Sequence, residues 1–248
     1  MNNIYLGIKF ALSYFTILPI GFKEKDDLSH SRVLSTMLYT LPFIGILLSS
    51  LTIGLFLLTE PLGWLGAILS AVAYMVLYGF IHTEAIFDVT DALYAAHSGK
   101  DPYLVIKEPT VGAMGVLYGV SFLILKIAAL STLLMHHLFW EFIAIALISR
   151  LSLVWLIKSY TFRSSFVSQL RESLTLTPLL LLSGLTTVLG FWFLSFPFIA
   201  LLGGGIFIAF LIVSLTRKSL GFINGDVLGM ALELVELTLL FTVLRLWN

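Results

Sequence analysis

Long apolar runs separated by short polar stretches set the outline of this chain. Residues 33–59, 61–81, 111–134, 139–157, 174–194, 198–215 and 227–247 are each apolar over a length that lets a helix cross a bilayer. Residues 4–21 are apolar as well, but Lys9 and Pro19 interrupt them, so this run predicts a short interfacial or re-entrant helix as readily as a span. Breaks at Glu60-Pro61, at His136-His137 and before Pro197 fold the runs into hairpins. Three hairpins hung between four polar regions (22–32, the stretch around 98–102, 159–173 and 217–226) place all four on one face of the membrane. The ten-residue alternating segments of a membrane barrel are absent, and only helices or closed barrels satisfy their backbone in lipid. The pattern therefore predicts an all-α, polytopic integral membrane protein with about seven to eight transmembrane or re-entrant helices in one bundle, a single domain over 1–248.

Composition agrees, and charge adds an orientation. The 248 residues are 59% hydrophobic and 11% charged, with a mean hydropathy of +1.03, too apolar for a soluble domain. Fourteen basic and fourteen acidic residues cancel, which gives no case for nucleic acid. The absence of cysteine excludes disulfides, thiolate nucleophiles and Cys-ligated metals. The N-terminus shows no basic region or cleavage site of a removable signal peptide. Lys23, Lys25, Arg32, Lys100, Lys107, Lys158, Arg163, Arg171, Arg217 and Lys218 fall in or beside the polar loops, while the opposite turns hold no Lys or Arg. By the positive-inside rule the loops at 82–115 and 217–229 face the cytoplasm. The partners this implies are the lipid bilayer and cytoplasmic small molecules, and a homo-oligomer is compatible with everything in the sequence.

The candidate chemistry lies on that face. Glu84, Asp88 and Asp91 follow an apolar run at spacing i, i+4, i+7, which on a helix puts them within an arc of roughly 60°. Three unpaired acids at mid-bilayer would cost roughly 8 to 10 kcal/mol, so they either sit at the water interface or hold a cation. Carboxylates without cysteine or grouped histidine favour Mg²⁺ or Mn²⁺. Gly221-Phe-Ile-Asn224-Gly225-Asp226 is a glycine-containing loop opening a helix, suited to phosphate, with Asp226 as an N-cap or a fourth carboxylate. Lys107 precedes Gly112 and Gly115, where missing side chains admit a substrate or a neighbouring helix. Arg150, inside an apolar run, calls for an acidic or phosphate partner. His82 points away from Glu84, and His136 and His137 fall on the other face. Carboxylates, metal, a phosphate loop and basic residues together suggest phosphoryl-type transfer.

These residues resemble the cobalamin synthases, the adenosylcobinamide-GDP ribazoletransferases. Members carry a stretch of the form His-Leu-Asp-Gly-Leu-Ala-Asp-Thr-Ala-Asp-Gly, then Lys-Asp-Ser-Arg-x-Gly-x-x-Gly, and late in the chain Gly-Gly-x-x-Gly-Asp-x-x-Gly. His82, Asp88, Asp91, Lys107, Gly112, Gly115, Gly221, Gly225, Asp226 and Gly229 stand at matching positions. Phe15-Thr16-Ile-Leu18-Pro19-Ile20 and Ser149-Arg150 are similar to two further runs, so the likeness spans nearly the whole chain. The sequence departs from the pattern at Glu84 for Asp, Ala85 and Ala92 for Gly, Glu108 for Asp, Pro109-Thr110 for Ser-Arg, and Phe222 for Gly. The resemblance implies a Mg²⁺-dependent enzyme of the prokaryotic cytoplasmic membrane. Its substrates would be adenosylcobinamide-GDP and α-ribazole or α-ribazole 5′-phosphate, and its products GMP and adenosylcobalamin or its 5′-phosphate. On this reading Glu84, Asp88, Asp91 and Asp226 hold the metal. Asp88, Asp91 and Asp226 serve catalysis, and Lys107, Arg150, Gly112, Gly115, Asn224 and Gly225 contact substrate. With no Arg at position 110, Lys107 or Arg150 would take over its phosphate contact. Two rival readings are a CDP-alcohol phosphotransferase, whose later Asp pair at i, i+4 is missing here, and a transporter, whose inverted repeats are missing.

Overall fold

The computed structural model describes residues 2–247, and among them every regular element is a helix. Helix α1 (Asn3–Phe15) begins where the Asn2 side chain accepts the Ile4 amide at 3.0 Å. Helix α2 (Ser31–Thr59) is capped in the same way by His30 on the Arg32 amide. There follow α3 (Trp64–Leu77), α4 (Glu84–His97), the single turn α5 (Pro102–Val105), α6 (Ala113–Met135) and α7 (Phe139–Ser159). Then come α8 (Ser165–Ser173), α9 (Leu176–Leu194), α10 (Phe196–Leu220) and α11 (Gly225–Trp247). Six of these, α2, α6, α7, α9, α10 and α11, are long and apolar enough to cross a membrane. The chain is an all-α, multi-pass membrane protein.

Apolar residues line both sides of the central helices, and this decides which helices sit inside. α7 is buried without interruption from Ala144 to Val154, and α11 is buried along most of its length. α9 and α10 turn large side chains such as Leu181, Val188, Trp192 and Phe207 outward, as lipid-facing helices do. The two ends of the bundle differ as the loop pattern predicts. At one end Glu60 meets His137 at 3.4 Å and Trp140 stacks on Phe193 at 4.2 Å, which joins the three short turns. At the other end the polar loops tie to one another. The Arg163 amide donates to the Ile223 carbonyl at 3.0 Å, Tyr103 packs on Phe222, and the Tyr39 hydroxyl meets the Thr175 carbonyl at 3.1 Å. Arg245, near the end of α11, lies at the far end from them.

Two elements differ from the hydropathy pattern. α1 has 13 residues and does not span. The run 61–81, predicted to cross, holds a helix of only 14 residues, about 21 Å long against about 30 Å of hydrocarbon. α3 stops because Gly79 and Phe80 take positive φ, 64° and 54°, and residues 78–83 form irregular turns. Hydropathy sees only that these residues are apolar. The irregular turns among them let α4 start inside the bundle and run on outward to the polar loops.

Candidate active site

α4 is placed by glycines on α6 and α11. A methyl group added at Gly112 or Gly115 would fall within 3.0 Å of the Asp91 side chain, and one at Gly119 on the Phe87 ring. Rising residue numbers on α6 thus meet falling numbers on α4, so the two helices are antiparallel. Gly229 of α11 lies against Ala85 and His82, where an added methyl would sit 3.0 Å from the Ala85 side chain. α4 therefore runs from inside the bundle to its polar end: Asp91 lies at the mouth, and Glu84 about 10 Å deeper, seven residues earlier at 1.5 Å each.

The four predicted carboxylates end up in two situations. Asp91 is committed to α6: its oxygens accept the Gly112 amide at 2.5 Å and the Gly115 amide at 2.7 Å. That pair caps α6 and fixes it to α4, so Gly112 and Gly115, expected at the substrate, spend their amides and their open Cα faces on Asp91. Glu84, Asp88 and Asp226 face open space. A cavity of about 450 Å³ is lined by Thr83, Glu84, Phe87, Asp88, Glu108 and Pro109. A second, of about 160 Å³, is lined by Tyr14, His82, Glu84, Gly225 and Asp226 among others. Glu84 stands on the wall of both. Burial together with the negative charges of Asp226, Glu84 and Asp91 pushes the Asp88 carboxyl up to about 6. Burial and the same two neighbours, Asp226 then Glu84, raise the Tyr14 hydroxyl.

An excess of negative charge on hard oxygen donors is what a divalent cation neutralises. Among the described residues no three His, Asp or Glu side chains converge to hold a metal by themselves. Glu84, Asp88 and Asp226 are hard oxygen donors, the kind Mg²⁺ takes, usually one or two carboxylates with substrate phosphates and water completing the shell. The residues present therefore fit a Mg²⁺ that is shared with a substrate.

The other expected residues are distributed as follows. Asn224 caps α11, its Oδ1 accepting the Val227 amide at 3.1 Å and its Nδ2 donating to Asp226 at 2.6 Å, so it orients Asp226. Gly225 opens α11 at the protein surface. Lys107 is exposed, with Nζ 4.1 Å from the centre of the Tyr103 ring. His82 is 8% exposed, packed between Phe15 and Tyr78.

Arg150 does not reach the carboxylates of the mouth. It is 2% exposed in mid-bundle and pairs with Glu236, while donating to Ser149 Oγ at 3.0 Å. Lys126 pairs with Glu233 and, at 2.8 Å, with Glu236. Tyr74 donates to Glu236, and Tyr78 and Thr83 each donate to Glu233, all at 2.8 Å. Two bases, two acids and these hydroxyls form a neutral lattice across α3, α6, α7 and α11. Glu233 and Glu236 lie about 10 and 15 Å further along α11 than Asp226. Their signal in the sequence is two acids at i, i+3 in an apolar run, matched in number by the lone bases Lys126 and Arg150. Thr83 links this lattice directly to Glu84, the deepest acid of the site.

The chain is similar to known proteins along almost its full length. An adenosylcobinamide-GDP ribazoletransferase of Clostridium perfringens is 31% identical over 249 residues, covering 96% of this chain and 97% of that one. One of Chlorobium chlorochromatii is 30% identical, covering 95% and 94%. One of Desulforamulus reducens is 28% identical, covering 97% of each chain. No solved structure matches. The family of cobalamin-5-phosphate synthases matches residues 7–244, and with the acid cluster, the capped glycines and the late Asn-Gly-Asp all in place, the chain belongs to that family.

Proposed function

We propose that this chain is an adenosylcobinamide-GDP ribazoletransferase, which performs the joining step that closes the nucleotide loop of cobalamin. The observation that carries the reading is family membership over residues 7–244, coupled with a mouth of carboxylates at one end of the bundle. A ribose hydroxyl of α-ribazole, or of its 5′-phosphate, bonds to the phosphorus that bears the cobinamide. The bond from that phosphorus to the bridging oxygen breaks, and GMP leaves with the electron pair.

Glu84, Asp88 and Asp226 supply oxygens to Mg²⁺, which when bound neutralises the diphosphate. A carboxylate of the same set accepts the hydroxyl proton. Asp91 keeps α4 and α6 in register so that the other acids face the cavities. Asn224 holds Asp226 at the start of α11, and Lys107 lies beside the mouth to offset phosphate charge. The basic residues of the polar loops support a cytoplasmic orientation in the membrane of a prokaryote, where nucleotide-activated substrates are found.

The test is turnover by purified protein in detergent, given adenosylcobinamide-GDP, α-ribazole and Mg²⁺, with GMP and the corrinoid product followed with and without EDTA. Metal-dependent formation of a cobalamin together with GMP is expected. Folded protein that releases no GMP and forms no new corrinoid would overturn the reading.

A further inference from the structure

Two cations at the mouth have no anionic partner, and both are displayed on one aromatic ring. The Arg163 guanidinium carbon lies 3.6 Å from the centre of the Tyr103 ring and the Lys107 ammonium 4.1 Å from it. The two charges are therefore closer than about 8 Å, the screening length at physiological ionic strength. Among the described residues neither side chain forms a hydrogen bond or an ion pair. Lys9 and Lys158, by contrast, donate to the carbonyls of Gly21 and Leu174 at 2.7 Å. The ring is braced in turn: Phe222, 8% exposed, meets Tyr103 edge-on at 5.1 Å, and the Arg163 amide is tied to the Ile223 carbonyl.

The position of this platform matters. Ile223 directly precedes Asn224, which holds Asp226, and Lys107 directly precedes Glu108 on the wall of the larger cavity. The cations are thus tied to both segments, Lys107 through the chain and Arg163 through its amide bond to Ile223. One departure from the family pattern lies here as well: where the pattern has a glycine this chain has Phe222, whose ring supports Tyr103.

We propose that Arg163 and Lys107, mounted on Tyr103 and Phe222, form the subsite for the diphosphate of the guanosine nucleotide. This rests on the transferase reading for the identity of the nucleotide. The planar guanidinium stacks on the ring through its face and keeps its N–H edge free for two phosphate oxygens, while Lys107 adds a point charge. The carboxylates, which would hold the metal, then face the reacting phosphate, and the cation pair holds the one that departs with GMP.

The test uses the full-length protein in uncharged detergent, with GDP as the binding probe and adenosylcobinamide-GDP as the substrate. Arg163→Ala is expected to weaken GDP about tenfold or more and to raise KM for adenosylcobinamide-GDP by a similar factor. It should leave the KM for α-ribazole within about threefold. Arg163→Lys, which keeps the charge and loses the fork, should recover only part. Tyr103→Leu, which keeps both cations and removes their support, should shift GDP affinity in the same direction. Unchanged GDP affinity in Arg163→Ala overturns the proposal. So does a loss seen only in vesicles containing phosphatidylglycerol, which would assign the pair to a lipid headgroup. Arg163-dependent GDP binding by protein that makes no cobalamin would support this subsite while refuting the transferase reading.

Discussion

Lys126→Met tests the buried lattice most directly. The Lys126 ammonium is 1% exposed and contacts Glu233, Glu236 and the Tyr78 hydroxyl, whereas Arg150 pairs with a single acid, Glu236. Methionine of similar length removes the cation without opening a large void. Glu233, fully buried, would be left with the neutral donors Tyr78 and Thr83. Removing one partner of a buried pair costs about 3–5 kcal/mol, because the remaining charge is uncompensated. For a chain of this size that corresponds to a fall in Tm of about 6 to 20 °C. The double substitution Lys126→Met, Glu233→Gln restores neutrality, and the glutamine carbonyl still accepts from Tyr78 and Thr83. It should recover more than half of the loss, since the Arg150–Glu236 pair is untouched. The assay is thermal unfolding in detergent, followed by tryptophan fluorescence, for the wild type, both single variants and the double. A single variant within 2 °C of wild type, or a double variant as unstable as the single, would refute the account of a charge-balanced lattice.

The two aspartates of α4 should respond in opposite ways to the same change. Asp88→Asn is expected to abolish turnover yet raise the Tm of metal-free protein at pH 7, since it removes a carboxylate crowded by three others; an active variant would take Asp88 out of the mechanism. Asp91→Asn leaves one acceptor for two amides, so loss of a charge-assisted bond worth about 1.5–3 kcal/mol should lower the Tm. Because the folded chain holds the Asp88 proton up to about pH 6, above the ordinary value of 3.8, stability of the metal-free protein should fall as pH rises from about 4 to 6. Over the same range Mg²⁺ competes with that proton, so its affinity, read by calorimetry, should be weaker at pH 5.5 than at pH 7.5 and release protons near pH 6. Gly115→Ala places a methyl against Asp91 and the Phe87 carbonyl, and should cost about 1–3 kcal/mol with loss of activity as α4 is pushed off α6.

Apolar length and polar breaks made the helical class and the six long spans legible, because lipid leaves the backbone few alternatives. They misjudged residues 61–81 for a definite reason. Hydropathy does not register the positive φ of Gly79 and Phe80, which ends α3 and separates it from α4. The i, i+4, i+7 spacing correctly put Glu84, Asp88 and Asp91 on one side of a helix. It could not show that the amides of Gly112 and Gly115, more than twenty residues away, would claim Asp91. Arg150 was recognisable as a residue in need of an anion, and its partner Glu236 was equally visible as an acid in an apolar run. Pairing across 86 residues required the packed helices. The platform of Tyr103, Phe222 and Arg163 draws on three separate loops, and nothing local marks it.

The lattice also constrains how the protein is made. Lys126 and its partner Glu233 are 107 residues apart, so at about 5–20 residues per second the ammonium emerges from the ribosome about 5 to 20 s before the carboxylate that neutralises it. Until α11 arrives, α6 and α7 hold two positive charges that lipid disfavours, and Thr83 has no acid to anchor it. Docking of α11 is therefore the step that neutralises the buried charge of α6 and α7, and the helix that carries Asp226 to the mouth is the one that completes the lattice.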